Sequence, residues 1–274
     1  MVVSYLAACL QLEPRFGAPD DNRDASVAAI ADAADADARL VVLPEASNAG
    51  YVFTDRDEVA RWAEPVDGPT VTAWAAVAAD RQVWVCGGIT ERDGDRLHNT
   101  AVLVGPDGLL ARYRKVHLWN DEKRWYDPGD LGFPVVETPI GRLGMLICYD
   151  AWFPESFRSL ALAGADVVCA PSNWVPVPGQ PADEPTLARM LCQTGAHSNQ
   201  VYVVAASRTG TEREQPFLGG SLIVDHTGWL VAGPASLDTP GRVLGEIDPI
   251  GSRGARRHNP FNQPLADRRP DAYA

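Results

Sequence analysis

The sequence has little positive charge and no long apolar run. Its 24 Lys and Arg stand against 36 Asp and Glu, which gives a net charge of −12. This balance repels phosphate backbones and anionic membranes, so we expect no nucleic-acid or membrane partner. No stretch reaches the roughly 18 uninterrupted apolar residues of a membrane span, and the N-terminus has neither a basic region nor a cleavage signature. The composition therefore predicts a soluble, cytoplasmic protein.

Paired cysteines are also absent. The five cysteines are widely spaced, with no C-x-x-C pair and no Cys/His cluster of zinc-site spacing: Cys9, Cys86, Cys148, Cys169 and Cys192. Their odd number argues against a disulfide framework and fits a reducing cytosol.

No Ser/Gly linker divides the 274 residues, so we predict a single domain over 1–274. Predicted strands cover 2–12, 40–43, 83–89, 97–104, 109–114, 143–147, 167–170, 201–206, 222–224, 229–231 and 242–247. Predicted helices cover 22–36, 57–62, 69–81, 154–163 and 184–199. Strands that alternate with helices, plus inserted hairpins, indicate an α/β protein with mixed sheets. The Arg- and Pro-rich segment 251–274 is interpreted as an extended tail that docks on a partner subunit, and a disordered basic end is the alternative.

One apolar run ends at a cysteine. The short run 143–147 is bounded by Gly, which predicts a buried strand, and Pro154 suits the first turn of the next helix. Cys148 is then at the strand end, where its thiol can face a cleft and the Tyr149 amide can donate a hydrogen bond. Taken alone, a cysteine in an apolar strand is equally explained as a packing residue.

Two charged residues also follow predicted strands. Glu45 comes after the strand 40–43, and Lys115 follows the hairpin built around Gly105-Pro106-Asp107-Gly108. Strand ends gather active-site groups in α/β sheets, so both could converge on Cys148. Singly, Glu45 could be a helix cap and Lys115 a surface cation.

Together these motifs resemble the nitrilase superfamily of carbon-nitrogen hydrolases over nearly the whole chain. The resemblance is carried, in order, by Leu43-Pro44-Glu45, by Asn99, by the run from Gly105 into Tyr113-Arg114-Lys115-Val116-His117-Leu118, and by Ile147-Cys148-Tyr149-Asp150 with Phe153-Pro154-Glu155. The family implies a four-layer αββα sandwich with two mixed β-sheets. It also implies a homodimer or a larger even-numbered homo-oligomer, and chemistry without a metal or organic cofactor.

The resemblance assigns roles to four side chains. Cys148 would be the nucleophile, Glu45 the general base, and Lys115 the cation that stabilises the oxyanion together with the Tyr149 amide. A second carboxylate would be Glu122, in a run that looks like the corresponding stretch of N-carbamoyl amino acid amidohydrolases, with Asp121 as the competing candidate. A neighbouring ammonium or base is expected to shift the thiol toward thiolate.

The resemblance points to a small amide or N-carbamoyl amine as substrate. Arginines that hold a substrate carboxylate in N-carbamoyl-D-amino acid amidohydrolases are replaced here by Ala151 and Trp152, which disfavours such substrates. The run from Cys148 to Glu155 is instead similar to that of N-carbamoylputrescine amidases and ω-amidases. The predicted substrate contacts are Tyr149 and Asn173, together with four aromatic residues for which core or dimer packing is the alternative: Trp174, Tyr51, Trp119 and Trp152. Nitrile hydrolysis is the alternative activity, and an acyltransferase or a non-catalytic member of the fold is a further one.

Overall fold

A computed structural model describes residues 4–181 and 183–273. The strands are β1 Tyr5–Gln11, β2 Ala38–Val42, β3 Trp84–Asp93, β4 Arg96–Gly105, β5 Gly108–Arg114, β6 Val135–Thr138, β7 Gly141–Met145, β8 Val167–Ser172, β9 Tyr202–Ser207, β10 Thr211–Glu212, β11 Gln215–Pro216, β12 Leu222–Val224, β13 Leu230–Ala232 and β14 Gly241–Ile247. The helices are α1 Pro19–Asp35, α2 Arg56–Trp62, α3 Pro69–Arg81, α4 Glu122–Trp125, α5 Pro154–Leu162 and α6 Leu187–Asn199. Within these ranges no helix has the length and apolar character needed to cross a membrane.

Two six-stranded sheets organise the described chain, in the orders β14-β1-β2-β3-β4-β5 and β13-β12-β9-β8-β7-β6. Each sheet has a parallel centre, formed by β1, β2 and β3 in one and by β7, β8 and β9 in the other. The outer strands pair antiparallel. The predicted α/β fold with mixed sheets is therefore confirmed.

Side chains alternate along the strands between two packed faces, so the two sheets form the inner layers, and the helices the outer layers, of a four-layer structure. On β1, Ala7 and Cys9 pack between the two sheets, whereas Ala8 and Leu10 pack beneath α1 and α3. On β9, Val204 likewise enters the layer between the sheets, and its neighbours on the strand pack beneath α5 and α6. Both faces of each sheet are covered, which gives the expected αββα sandwich.

The strand before Cys148 ends earlier than predicted. β7 stops at Met145, and Cys148 begins a 3₁₀ helix, Cys148–Trp152, instead of ending a strand. The Asp150 side chain accepts the Ile147 N–H at 2.9 Å, and the Asp150 N–H donates to the Ile147 carbonyl at 2.9 Å. These local bonds compete with the strand ladder and turn the chain.

Four helices test the boundaries predicted from the sequence. α3 has the predicted bounds, and Pro154 begins α5 as expected. α1 begins at Pro19, three residues before the predicted start, because a proline suits the first helical turn. The predicted helix 184–199 begins at Leu187, where the Thr186 side chain caps it.

The start of the tail binds its own chain. A 3₁₀ helix, Gly251–Ala255, brings Arg253 and Arg256 to the buried Asp166, with bonds of 3.0 Å from Arg253 Nε and 2.6 Å from Arg256 Nη2. This part of segment 251–274 is therefore not extended. Its place at an oligomer interface stays a prediction.

Candidate active site

Loops after strands of both sheets meet at one end of the sandwich. Asn173, which follows β8, donates from its side chain to the Glu45 carbonyl at 3.0 Å, and so joins the second sheet to the loop after β2. Gly88 on β3 lets that loop approach, because a Cβ there would lie 2.5 Å from the Glu45 Cα. The glycine at position 88 thus serves the position of Glu45.

A buried ammonium lies between two buried carboxylates at this end. Lys115 Nζ is 2.7 Å from Glu45 Oε1 and 2.8 Å from Glu122 Oε2, and all three side chains are buried. Asp121 is exposed and lies 3.5 Å from Arg124. The geometry therefore brings Glu45, Lys115 and Glu122 together and leaves Asp121 outside.

Asn99 on β4 completes this cluster. Its Nδ2 donates to Glu45 Oε1 at 2.6 Å and to Glu122 Oε1 at 2.7 Å. The sequence reasoning quoted Asn99 in the motif but gave it no role at the site. The available signal was a polar amide within a strand that is otherwise buried and largely apolar.

The two ends of the Glu45–Lys115 pair have raised pKa values. Burial raises the pKa of Glu45, the charge of Lys115 opposes this, and the charge of Glu122 adds to it. Burial alone would lower the pKa of Lys115, but the carboxylates of Glu122 and Glu45 raise it well above its ordinary value. The cluster thus holds a firmly protonated lysine beside a carboxylate of increased basicity.

Cys148 is partly exposed beside this cluster, with a left-handed backbone (φ +46°). Burial and then the charge of Glu45 raise the pKa of its thiol well above the ordinary value, against the opposing effects of Lys115 and the Asn173 backbone. The expected shift toward thiolate is therefore wrong, because burial and a facing carboxylate outweigh one ammonium. The raised pKa favours the thiol form of Cys148, so attack by its sulfur on a carbonyl carbon would need a base.

The turn at Cys148 presents free N–H groups. The first hydrogen bond of the 3₁₀ helix Cys148–Trp152 is donated by Asp150, so the Tyr149 N–H precedes it and is available to an oxyanion. Asp150 also accepts from Tyr113 Oη at 2.8 Å and from the His117 N–H at 3.0 Å. This carboxylate therefore ties the segment after Lys115 to the turn at Cys148.

A pocket of about 530 Å³, counting space open to solvent, has Cys148 in its wall. Its aromatic lining is Trp119, Tyr149, Trp152 and Trp174, and its aliphatic lining includes Val175, Leu187 and Leu218. Asn173 lines it as well. Among the residues that the structure describes, no charged side chain lines this pocket, which suits an uncharged ligand.

Tyr51 does not line this pocket. Its ring packs edge-on against Phe217, with centroids 5.9 Å apart, and its backbone N–H donates to Glu212 at 2.8 Å. Burial and the charges of Glu122 and Glu45 raise the pKa of Tyr51 well above its ordinary value. Tyr51 therefore interacts electrostatically with these carboxylates, and its predicted substrate contact stays a prediction.

Comparison with known proteins identifies relatives over the whole chain. The family model for carbon-nitrogen hydrolases matches residues 6–257. The chain is 39% identical to a protein named nitrilase from Pyrococcus abyssi, over 97% of this chain and 98% of that one. It is 34% identical to an (R)-stereoselective amidase from a Pseudomonas species, over 95% of this chain and 90% of that one.

A solved structure shares the fold. The amidase from Nesterenkonia sp. superposes with a TM-score of 0.80 at 25% identity, covering 99% of this chain and 96% of that one. A cysteine-to-alanine mutant of the same amidase was solved in complex with butyramide, and it superposes with a TM-score of 0.79 at 25% identity over 97% of this chain and 95% of that one.

Proposed function

The chain belongs to the carbon-nitrogen hydrolase family, and from that premise we propose that it is an amidase for small, uncharged amides and N-carbamoyl amines. The observation that carries this proposal is the buried group of Glu45, Lys115 and Glu122 beside a thiol in a pocket without charged walls. A base, a fixed cation and a nucleophile are the groups that cysteine-dependent acyl transfer requires.

In the first half-reaction an acyl group moves to Cys148. Glu45 takes the thiol proton as Sγ attacks the carbonyl carbon, and the developing oxyanion is stabilised by Lys115 and the Tyr149 N–H. Glu45 then gives its proton to the leaving nitrogen. The C–N bond breaks, ammonia or an amine departs, and a thioester remains on the enzyme.

In the second half-reaction water releases the acid. Glu45 takes a proton from water, whose oxygen attacks the thioester carbon, and the same donors stabilise the second oxyanion. The C–S bond breaks, and the proton on Glu45 returns to the sulfur. Glu122 acts through Lys115, because its carboxylate keeps that ammonium charged and in position.

The pocket walls favour a neutral acyl group. A charged group would lose its hydration against aromatic and aliphatic side chains without gaining a partner. Trp152 lines the pocket where a carboxylate-binding arginine would be needed. The butyramide complex of the related amidase supports the same class of substrate for this chain.

The test is a turnover screen for ammonia and amine release with butyramide, N-carbamoylbutylamine, an N-carbamoyl amino acid and butyronitrile. We expect the first two to react, and Cys148→Ala to be inactive. Cys192→Ala is the matched control, since that cysteine is buried on α6 away from the pocket lining. Turnover by Cys148→Ala at the wild-type rate would refute the proposal.

Nitrile hydrolysis is the second candidate, favoured by the 39% identity to the protein named nitrilase. Attack of the Cys148 thiolate on a nitrile gives a thioimidate, which water converts to the same thioester with loss of ammonia. Faster turnover of butyronitrile than of butyramide would assign this activity.

We further propose a homodimer or larger even-numbered assembly in a reducing cytoplasm. Leu162 on α5 and Met190 on α6 are 51% and 42% exposed, which suits an interface. The five free cysteines suit a compartment that keeps thiols reduced. Light scattering tests the assembly, since a monomer would contradict it, and fractionation of source cells tests the compartment, since recovery outside the cytoplasm would contradict that.

A further inference from the structure

Asn99 is held rigidly in the wall of the charged cluster. Its residue pairs with Thr90 on β3, and its carbonyl accepts the Lys115 N–H at 2.8 Å. The side chain is 1% exposed. A strand bonded on both sides leaves this amide little freedom, so its direction is set by the sheet.

The amide bridges two carboxylates that would otherwise repel each other. Both of its hydrogens are used, in bonds of 2.6 Å to Glu45 Oε1 and 2.7 Å to Glu122 Oε1. The reverse orientation would point the Asn99 oxygen at two carboxylates, so only this one is stable. Hydrogen bonds to charged acceptors are roughly twice as strong as those between neutral groups.

The bonds distinguish the two oxygens of Glu45. Oε1 accepts from both Asn99 and Lys115, whereas Oε2 is buried without a hydrogen-bond partner among the described residues. On Glu122, Oε1 accepts from Asn99 and Oε2 from Lys115, so neither oxygen is bare. A saturated oxygen is a poor proton acceptor, and only Oε2 of Glu45 is free to accept one.

We propose that Asn99 is a positioning residue for the proposed reaction, and that by saturating Oε1 it leaves Oε2 of Glu45 as the atom that carries the proton. The inference rests on the proposed function and deepens it.

Loss of the bridge changes the ionisation of Glu45. The titratable groups of the described residues that face this carboxylate are Lys115, Glu122, Cys148, Tyr51 and Tyr126. The Asn99 bond favours the ionised form, in the same direction as Lys115 and against burial. Without it, a higher pH is needed to ionise the base.

The experiment measures the rate at which iodoacetamide alkylates Cys148, as a function of pH, by mass spectrometry. Alkylation needs the thiol proton removed but not a particular substrate, so it remains a test even if the amide screen fails. In Asn99→Ala we expect the acid limb of the rate to move to higher pH. We also expect kcat on the best amide to fall about 100-fold, with KM changed less than about threefold.

Thr100→Val is the matched control. Thr100 is the next residue on β4, buried, and its hydroxyl donates to Glu91 instead. Its loss should lower the melting temperature without moving the acid limb. Asn99→Ser, which keeps one donor, should give a smaller shift than Asn99→Ala.

An unchanged acid limb in Asn99→Ala, or an equal shift in Thr100→Val, would overturn the proposal. Failure of both Asn99 variants to fold would also overturn it, because Asn99 would then serve folding and not positioning.

Discussion

Glu45 and Glu91 are both completely buried, yet their pKa values move in opposite directions. Glu91 is on β3, the strand beside β2, and Glu45 is in the loop that follows β2. The pKa of Glu45 is raised, whereas that of Glu91 is lowered. Burial raises the pKa in both cases, and the two carboxylates differ in the partners that oppose it.

Every oxygen of Glu91 is satisfied by a donor, mostly by cations. Arg112 and Arg114 donate to Oε1 at 2.7 and 2.9 Å, and Arg114 Nε donates to Oε2 at 3.0 Å together with the Thr100 hydroxyl. Burial would raise the pKa of Glu91, but the bonds from Arg114 and Thr100 outweigh it. This carboxylate is fixed in its ionised form and serves the fold.

Glu45 instead shares one cation with Glu122, and one of its oxygens has no hydrogen-bond donor in the described part of the chain. Two carboxylates and one ammonium leave a net negative charge, which favours protonation. The comparison teaches that a buried carboxylate is structural when cations saturate it. It is available for proton transfer when a second carboxylate competes for its cation.

The largest expected effect separates the two residues by activity. Glu45→Gln should lower kcat about 10³-fold, because its amide cannot accept a proton from the thiol or from water. Glu91→Gln should change kcat per folded molecule less than about twofold. Steady-state kinetics with the best amide, corrected for the folded fraction, measure both, and equal losses would remove the distinction.

The next effect separates them by stability at pH 7. Glu91→Gln should cost about 3 kcal/mol, because it leaves buried arginine charge with one partner fewer. Glu45→Gln should cost less than about 1 kcal/mol, since its carbonyl can still accept from Lys115 and Asn99 and a disfavoured charge is removed. Urea unfolding gives both free energies of unfolding. A larger loss of stability for Glu45→Gln than for Glu91→Gln would contradict the structural role of Glu91.

The smallest effect is the pH dependence. The pKa of Glu91 is lowered, so its stabilisation is present above the ordinary value of 4.5 and disappears as the pH falls through its folded-state pKa. Unfolding measured from pH 7 downward should therefore show wild type and Glu91→Gln converging only below pH 4.5.

The pKa of Glu45 is raised, so any stabilisation from its protonation is present below 4.5 and is lost as the pH rises through its folded-state pKa. Activity should accordingly decline on the acid side at a midpoint above pH 4.5, while circular dichroism shows the protein still folded. A midpoint at or below 4.5 would mean that Glu45 is not the group that titrates.

Much of the fold could be predicted because local signals agreed with tertiary packing. Pro69 and the apolar spacing of α3 marked its bounds. The end of the strand predicted over 143–147 was wrong, because the apolar residues continue past the strand into the turn that follows it. The hydrogen bonds of Asp150 that end the strand depend on the position of its side chain, which could not be predicted from the sequence. Strand β6 was missed because only two of its four residues are apolar and none of them is fully buried.

The sequence motifs named candidate residues for the site, but they did not predict which of these residues contact one another. The motifs named Glu45, Lys115 and Cys148. They did not decide between Glu122 and Asp121, because a four-residue helix such as α4 is too short for its buried face to be predicted from the sequence. Asn99 was missed since its role depends on two carboxylates distant in sequence. The thiol's raised pKa was missed because the depth of burial is set by the closed sandwich.

The residues of the proposed site are divided between the two sheets: Glu45 and Lys115 follow strands of one, and Cys148 and Asn173 follow strands of the other. The proposed mechanism therefore needs residues from both sheets. A misplacement of about 1 Å can lower the rate on the order of 10²-fold. A small shift of one sheet relative to the other should therefore abolish activity before the hydrophobic core unfolds. The turnover rate should therefore report small changes in the relative position of the two sheets. Activity that is lost on mild heating, below the melting temperature, should return on cooling.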